Sequence, residues 1–210
     1  MDFFETVFTR RTVREYTEEK PSLNDLIKIV DAARLAPSAT NSQNWRFLVV
    51  TNREVLKKMK DAVSNKYNEI ALKMPNDELK QKVLAFKEHS IFFEKAPATF
   101  VIVEQMRESF MSDVFKILEW DEEVMKKIKP DSSLLSLGAA IENMSLAAHN
   151  LGWGTCWMAA PLVANDDFAN ILSLAENERV VTLLPIGKPP SGYETNPYKK
   201  DLSEVMEIIS

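Results

Sequence analysis

Helical periodicity dominates the pattern of apolar positions along the chain. Four apolar residues share one helical face within residues 2–9, and longer 3.6-residue patterns predict helices over residues 22–36, 53–73, 77–94 and 132–151. The last of these is apolar nearly all round and carries little bulk. Such a helix is typical of a central position in close contact with its neighbours.

Short β-rich apolar runs interrupt these helices. They predict strands over residues 47–51, 99–103, 154–158 and 180–186. Pro185 lies in the last run. Because proline has no backbone N–H to donate to a neighbouring strand, we expect this strand at an edge of the sheet, or Pro185 at a strand end.

Three further segments complete the pattern. A helix is predicted from Asp166 or Asp167 through Leu174, and residues 202–209 form a final strand or helix. Residues 104–130 read as a helix or a mobile lid over a pocket, with an amphipathic surface helix as the alternative. Helices interspersed with a few strands, and no linker between them, predict an α+β fold in a single domain over residues 1–210.

Composition excludes several classes of partner. The net charge of −5 argues against nucleic acid or an anionic membrane as a partner. No signal-peptide pattern or membrane-spanning apolar run occurs in the sequence. The single cysteine, Cys156, permits no intrachain disulfide, so we expect a cytoplasmic protein.

Few residues of the metal-binding or triad types are present. With only His89, His149 and Cys156, we expect no metal site of the usual His/Cys kind. His149 falls in an apolar helical pattern, which favours a core or helix-end histidine over a member of a catalytic triad. Neither GxGxxG nor GxxxxGK occurs, so any phosphate would have to be held by side chains.

A turn rich in arginine follows the first predicted helix. Arg10, Arg11 and Arg14, with the hydroxyl of Thr12, fall within five residues. The guanidinium group presents a planar fork of donors that fits phosphate oxygens. The alternative is a solvated basic turn whose arginines pair with nearby glutamates, which are Glu5, Glu15, Glu18 and Glu19.

A polar loop separates the second predicted helix from the first strand. Its small hydrogen-bonding side chains are Ser38, Thr40, Asn41, Ser42 and Gln43. An amide presents a donor and an acceptor side by side, which suits the edge of a planar heterocycle such as the flavin pyrimidine ring. The alternative is an ordinary helix-to-strand loop, since serine, asparagine and proline favour turns.

Three segments in this order and at this separation resemble the nitroreductase family of FMN flavoproteins. They are residues 10–14, 36–45 and 152–158, with further support from residues 186–187 and 198–202. The resemblance covers residues 2–205. It implies a homodimer with a mixed sheet wrapped by helices, a long central helix packing across the dimer, and two FMN sites at the subunit interface.

The resemblance also assigns cofactor contacts. The phosphate and ribityl chain are contacted by Arg10, Arg11, Thr12 and Arg14. The partner chain supplies Pro37, Ser38, Ala39 and Asn41, with Gln43 in a supporting place. A backbone N–H for flavin N5 comes from the segment of Met158, Ala159 and Ala160. The phosphate is also reached by Lys199 or Lys200.

The chain departs from the family pattern at three places. Residues 159–161 read Ala-Ala-Pro where many relatives have Gly-Gly or Glu-Gly, which keeps a backbone donor but reduces the room over the ring. Asn44 stands where proline is common, which predicts a looser loop. Asp201 replaces a frequent proline after the lysine, so the choice between Lys199 and Lys200 stays open.

The resemblance implies an FMN-dependent oxidoreductase that uses NADH or NADPH to reduce a nitroaromatic, a quinone or a related small acceptor. The redox reaction belongs to the flavin, so no residue is assigned a catalytic role. Arg14 or Lys199 could stabilise the anionic reduced flavin. Two alternatives stay open: a flavin-binding sensor or carrier without turnover, and a structural role in which residues 132–151 serve dimer packing and the arginines serve solubility.

Overall fold

A four-stranded antiparallel sheet forms the centre of the fold in the computed structural model, which describes residues 2–107, 110–119 and 131–209. The strands are β1 (Trp45–Val50), β2 (Ala98–Gln105), β3 (Gly154–Thr155) and β4 (Glu178–Gly187). Their order across the sheet is β1-β2-β4-β3. A parallel bridge between Thr12 and Thr155 adds the segment after the first helix to the β3 edge and makes the sheet mixed.

Eight α-helices surround the sheet in the described part of the chain. They are α1 (Phe3–Thr9), α2 (Leu23–Arg34), α3 (Arg53–Leu72), α4 (Asp77–Ile91), α5 (Phe110–Ile117), α6 (Ser132–Asn150), α7 (Asn165–Ile171) and α8 (Leu202–Val205). Short 3₁₀ segments occupy Ala39–Asn41, Phe92–Lys95 and Ala160–Ala164. The predicted α+β class is confirmed.

Local sequence signals explain where these helices begin and end. The Ser22 side chain accepts from the Asp25 N–H at 3.1 Å, and the Asn52 side chain accepts from the Glu54 N–H at 2.9 Å. Each cap satisfies a backbone donor that a helix start leaves open. Gly152 ends α6 with a φ of 82°, a left-handed conformation that glycine adopts without steric cost.

Helices cover both faces of the sheet. Along β2, Phe100 and Ile102 face α2 and α6, while Val101 and Val103 face α3 and α7. Side chains of successive strand residues point to opposite faces, so a strand covered on both sides reads as a continuous apolar run. The central helix α6 lies on the first face, where Ile141 is buried against the strands.

The position of Pro185 corrects one prediction. Strand β4 lies between β2 and β3 and is not an edge strand, so the edge prediction is wrong. Pro185 is not at the strand end either: it lies two residues before the end of β4 and pairs with Thr99 of β2. Its carbonyl accepts from the Cys156 N–H at 3.3 Å.

Other predicted boundaries also change. The helix expected from Asp166 or Asp167 through Leu174 is instead α7, which begins at Asn165 and ends at Ile171. The strand expected over residues 154–158 narrows to β3, with a single further bridge from Met158 to Leu183.

Residues 104–130 and 202–209, whose structure the sequence pattern left open, are only partly helical in the described part of the chain. Of residues 104–130, the first two belong to β2 and eight form α5, while residues 108–109 and 120–130 lie outside the described residues. The terminal segment forms α8 and then continues without further helix or strand to residue 209.

Candidate functional site

The arginine-rich turn of residues 10–14 is held against the β3 edge of the sheet. The Val13 N–H donates to the Thr155 carbonyl at 2.9 Å, beside the Thr12–Thr155 bridge. A Cβ atom built on Gly154 would lie 2.4 Å from the Val13 side chain. Glycine therefore permits an approach of the turn to β3 that any other residue would prevent.

The guanidinium groups of this turn carry more positive charge than their neighbours balance. Arg10 Nε lies 3.3 Å from a carboxylate oxygen of Glu142 on α6. Arg11 Nη1 donates to two backbone carbonyls, those of Phe8 and Arg10, at 2.7 and 2.8 Å. Among the described residues, no ion pair joins the turn to the four nearby glutamates, so the pairing that the alternative expected is not found, although Arg14 is exposed to solvent. The surplus charge can bind an anion.

His149 lies beside the turn, in the last turn of α6, as a helix-end histidine. The Thr9 hydroxyl donates to the Glu5 carbonyl at 2.6 Å, so its oxygen accepts from His149 Nε2 at 2.8 Å. Partial burial lowers the pKa of His149 below its ordinary value, and the positive charges of Arg10 and Arg11 lower it further. The imidazole is therefore neutral at neutral pH.

The polar loop of residues 37–44 docks on the first turns of α6. The Ala39 N–H donates to Ser136 Oγ at 3.1 Å, and the Gln43 N–H donates to Ser38 Oγ at 3.0 Å. Between the loop and α6 lies an open cavity of about 260 Å³, lined by Pro37, Ser38, Ala39, Ser132, Leu135, Ser136 and Ala139. The loop thus borders an open depression on the surface of the protein.

The backbone of this loop is strained. Thr40 and Asn41 both have a φ of 54°, and Gln43 has a φ of 44°. Such conformations cost on the order of 1–3 kcal/mol each in residues other than glycine, and they cluster at ligand clamps. Gln43 Nε2 also donates to Asn41 Oδ1 at 3.1 Å. These features favour a binding loop over an ordinary connection.

Asn44 anchors the loop through side-chain hydrogen bonds, which oppose the loosening predicted from the missing proline. Its side chain is only 6% exposed, accepts from Ser42 Oγ at 3.2 Å and donates to Ser133 Oγ at 2.5 Å. Ser133 donates in turn to the buried carboxylate of Glu104, which also accepts from Arg179 Nε at 2.6 Å. The chain replaces the rigidity of a proline with a hydrogen-bonded relay that reaches β2 and β4.

Sequence reasoning missed three members of this relay, which are Ser133, Glu104 and Arg179. The available signals were a serine pair at the start of a helix and an acidic residue directly after an apolar strand. Neither signal indicates which residue is the hydrogen-bond partner, because the bonded residues are far apart in the chain.

The turn of residues 158–160 carries two open backbone donors. The Met158 N–H donates to the Leu183 carbonyl at 2.9 Å and is therefore occupied. Within the part of the chain that the structure describes, the Ala159 and Ala160 N–H groups donate to no acceptor. Of the three residues predicted to offer a donor, Ala159 and Ala160 retain one.

One chain does not bring the polar loop and the arginine-rich turn together. The loop is anchored at Ser133 and Ser136, in the first turns of α6. Arg10 of the turn contacts Glu142, and Thr9, directly before the turn, bonds to His149 in the last turn of the helix. Glu142 lies six residues beyond Ser136, which is about 9 Å along a helix axis. The two predicted parts of the site are therefore attached to different parts of α6.

The predicted lysines lie on the terminal tail, residues 194–209. Lys199 and Lys200 are both exposed and form no ion pair among the described residues. The tail begins beside the arginine-rich turn. Tyr193, the residue directly before the tail, has a hydroxyl that accepts from the Arg14 N–H at 3.1 Å. The structure therefore leaves the choice between the two lysines open.

Among the described residues, the apolar side chains that the chain itself leaves exposed include two clusters. One is the outer face of α1, and the other is the end of the tail. The exposed residues are Phe3, Phe4, Val7, Phe8, Leu202, Val205, Met206, Ile208 and Ile209. Contiguous exposed apolar surface marks an interaction site more often than chance.

Two kinds of feature are absent from the described residues. None of the helices combines the length and apolar character needed to cross a membrane. No group of three or more His, Cys, Asp or Glu side chains lies close enough together to hold a metal ion.

Comparison with known proteins gives a consistent picture. The model of the Nitroreductase family matches residues 7–188. The chain is 28% identical over 187 residues to an Archaeoglobus fulgidus protein named "Putative NADH dehydrogenase/NAD(P)H nitroreductase", covering 87% of this chain and 83% of the relative. It is 25% identical to an iodotyrosine deiodinase of Hydra vulgaris, covering 98% of this chain and 72% of the relative.

Solved structures share the fold over the full chain. A BluB-like flavoprotein from Clostridium difficile 630 matches with a TM-score of 0.90 and 28% identity, with all of both chains covered. A nitroreductase with bound FMN from Bacteroides fragilis matches with a TM-score of 0.72 and 21% identity, again over all of both chains. The second likeness is one of fold alone.

Proposed function

Because the chain belongs to the nitroreductase family, we propose that it is a cytoplasmic, homodimeric, FMN-dependent oxidoreductase. NADH or NADPH is the electron donor, and the acceptor is a nitroaromatic, a quinone or a related small molecule. The observation that carries the proposal is the surplus positive charge of the arginine-rich turn, attached to the strand that leads to the open donors of Ala159 and Ala160. The name of the Archaeoglobus relative supports the donor.

The residues present fit FMN. The Thr12–Thr155 bridge places the arginine-rich turn beside β3, and Ala159 follows Thr155 by four residues. Four residues span at most about 14 Å, so a ribityl chain can join a phosphate at the turn to a ring at Ala159. Guanidinium forks match the phosphate oxygens, and a backbone N–H matches the N5 lone pair. The similar flavoprotein of Clostridium difficile supports the same cofactor class.

A second copy of the chain completes the site in this proposal. If two α6 helices pack antiparallel across a two-fold axis, the polar loop of one copy lies beside the arginine-rich turn of the other. The uncovered apolar surfaces of α1 and the tail supply area for such an interface. Pro37, Ser38, Ala39 and Asn41 then approach the ring from the partner, with Gln43 supporting Asn41 through its side-chain hydrogen bond.

The chain's own part in the reaction is to bind and orient. Bound FMN supplies the two-electron chemistry. Arg10, Arg11 and Arg14 compensate the phosphate charge, with Lys199 or Lys200 of the tail as a further cation. The polar loop hydrogen-bonds the pyrimidine edge of the flavin, and the turn at Ala159 donates a backbone N–H to flavin N5. No side chain of the chain is given a catalytic role.

The visible spectrum of the purified protein tests this proposal. We expect the flavin absorbance bands, and we expect anaerobic NADH or NADPH to bleach them. Replacing Arg10 and Arg14 together with glutamine should lower FMN affinity by at least about 100-fold, because each charge-assisted hydrogen bond contributes roughly tenfold or more. Thermal stability should stay near that of Arg34→Gln, a control at an exposed arginine paired with Asp31. Protein that is colourless and takes up no added FMN would refute the proposal.

Acceptor turnover and the flavin spectrum together distinguish two narrower outcomes. Iodotyrosine deiodinase relatives span nearly the whole chain, so a halogenated tyrosine is a second candidate acceptor. Iodide release from 3-iodotyrosine that exceeds turnover of a nitroaromatic and a quinone would favour it. Bound flavin that neither nicotinamide donor bleaches would instead favour a sensor or carrier.

A further inference from the structure

The turn of residues 158–160 is held through its carbonyl groups. In a trans peptide unit, the carbonyl of one residue and the N–H of the next lie in one plane and point in opposite directions. A hydrogen bond that fixes the carbonyl therefore fixes the direction of the following N–H. The Met158 carbonyl accepts from Thr182 Oγ1 at 2.8 Å and from the Leu183 N–H at 3.1 Å. These two bonds direct the Ala159 N–H away from β4.

The next two carbonyls of the turn are occupied as well. The Ala159 carbonyl accepts from the Leu162 N–H at 3.0 Å, which fixes the plane that contains the Ala160 N–H. The Ala160 carbonyl accepts from the Tyr67 hydroxyl at 3.0 Å. Pro161 follows and has no N–H to offer. All three carbonyls are satisfied, while the N–H groups of Ala159 and Ala160 point outward and stay open.

We propose that Thr182 and Tyr67 are positioning residues that set the direction of the donor to flavin N5, with the Ala159 N–H as that donor. This inference rests on the proposed function. Thr182 contributes by holding the Met158 carbonyl, which shares a peptide plane with the Ala159 N–H. Tyr67 contributes by holding the far end of the turn.

The surroundings of Thr182 support this role. Its side chain is fully buried in β4, so its hydroxyl has no solvent partner. The pairing of β2 with β4 shifts at this point: Ile102 pairs with Thr182 and Val103 pairs with Val180, which leaves Val181 as an extra residue. A bulge of this kind bends the strand and re-aims neighbouring side chains.

The surroundings of Tyr67 are equally fixed. Its ring lies on α3, 5.8 Å from the ring of Phe86 on α4 at an interplanar angle of 71°. Edge-to-face packing of this kind restrains the ring and so places the hydroxyl. Ala159 itself has an ordinary φ of −95°, so the turn needs no glycine once its carbonyls are held. This explains how the chain tolerates Ala-Ala-Pro at this point.

A fixed donor at N5 favours oxidised over reduced flavin. N5 of oxidised flavin is an acceptor, whereas N5 of fully reduced flavin carries a hydrogen and no longer needs a donor. Loosening the donor therefore weakens the preference for the oxidised form. The loss of one orienting hydrogen bond corresponds to about a threefold to tenfold change, which raises the midpoint potential of a two-electron couple by roughly 15 to 30 mV.

The test is the midpoint potential of the FMN-bound protein in three matched variants. Thr182→Val removes the hydroxyl with little change of shape, and we expect the potential to rise. Thr182→Ser keeps a hydroxyl and should restore the wild-type value. Thr99→Val is the control, since Thr99 is an equally buried threonine whose hydroxyl donates to the Phe93 carbonyl at 3.3 Å, outside the turn. Its potential should not change.

Tyr67→Phe provides a second variant if Thr182→Val unfolds, because it removes one hydroxyl and keeps the packed ring. We expect a rise of the same sign. The chemical shift of the Ala159 amide on FMN addition gives a readout that needs no turnover, and both variants should reduce its change. Equal potentials in Thr182→Val, Tyr67→Phe and Thr99→Val, with FMN bound in each, would overturn the inference. Failure of the wild-type protein to bind FMN would instead overturn the proposed function.

Discussion

The pKa of His149 depends on the charge of the arginine-rich turn. His149 bonds to Thr9, and its pKa is lowered by partial burial and by the positive charges of Arg10 and Arg11. In the pH range between its lowered pKa and the ordinary value of 6.5, the unfolded chain binds more protons than the folded one. Stability associated with His149 therefore falls as the pH drops below about 6.5.

Arg10→Gln should raise the pKa of His149, because it removes one of the two neighbouring positive charges. Added inorganic phosphate or FMN should raise it too, since an anion at the turn favours the charged imidazole. Titration of the imidazole carbon-bound protons by NMR measures both effects. Arg34→Gln is the control and should leave the titration unchanged. An identical pKa in Arg10→Gln would show that the charge of Arg10 does not act on His149.

Among the helices and loops, α6 has the largest role in arranging the site. Its first turns hold the polar loop through Ser133 and Ser136. Its last half holds Arg10 through Glu142, and the neighbouring Thr9 through His149. The slim, apolar character of the helix keeps these two attachments at a fixed separation, since Leu137 and Ile141 are buried against the sheet and α2. A change at either attachment should alter cofactor binding more than it alters the fold.

Asn44→Ala should weaken FMN binding, because the strained loop loses its anchor on Ser133. It should also lower stability by about 1–3 kcal/mol, since a buried polar group is left without its partner. Asn143→Ala is a matched control: Asn143 lies on α6 and donates to the Ala32 carbonyl at 3.1 Å, away from the loop. We expect both variants to lower the melting temperature and only Asn44→Ala to raise the FMN dissociation constant. Equal FMN affinity in the two variants would contradict the anchoring role.

In the whole molecule, the proposed site depends on association of two copies. The polar loop and the arginine-rich turn are attached to α6 at Ser136 and Glu142, about 9 Å apart along the helix axis. The tail carries apolar residues that its own chain leaves between 52% and 90% exposed. Exposure of this kind is unfavourable in a monomer, since each large apolar side chain gains about 1.5–3 kcal/mol when fully buried. The tail therefore has a physical reason to dock on a second copy.

Replacing Ile208 and Ile209 together with aspartate should weaken the dimer and release FMN in parallel, although the arginine-rich turn is unchanged. Light scattering gives the molecular mass, and flavin fluorescence gives bound FMN. Leu72→Asp is the control, since Leu72 is 78% exposed at the end of α3 and outside both apolar surfaces. A monomer that retains full FMN affinity would contradict a shared site. A dimer that resists the change would show that the tail lies outside the interface.

The sequence by itself determined the features whose information is local. Helix starts at Ser22 and Asn52 and the helix end at Gly152 depend on residues within one turn, so their positions were readable. The buried strands were readable from a continuous apolar run. The arginine-rich turn and the polar loop stood out because they lacked either pattern, and their order along the chain was enough for the family resemblance.

Only the tertiary structure decided which polar groups find partners. Asn44 and Ser133 are 89 residues apart in the chain, and Tyr67 and Ala160 are 93 apart, so no local pattern links them. The same holds for Pro185, whose strand lies inside the sheet because β3 pairs with it from a distant segment. A buried hydrogen bond needs a specific partner at a specific angle, whereas burial of apolar surface needs only the right period. The spacing of apolar residues can be read from the sequence, whereas the hydrogen-bond partner of a buried polar group depends on the fold.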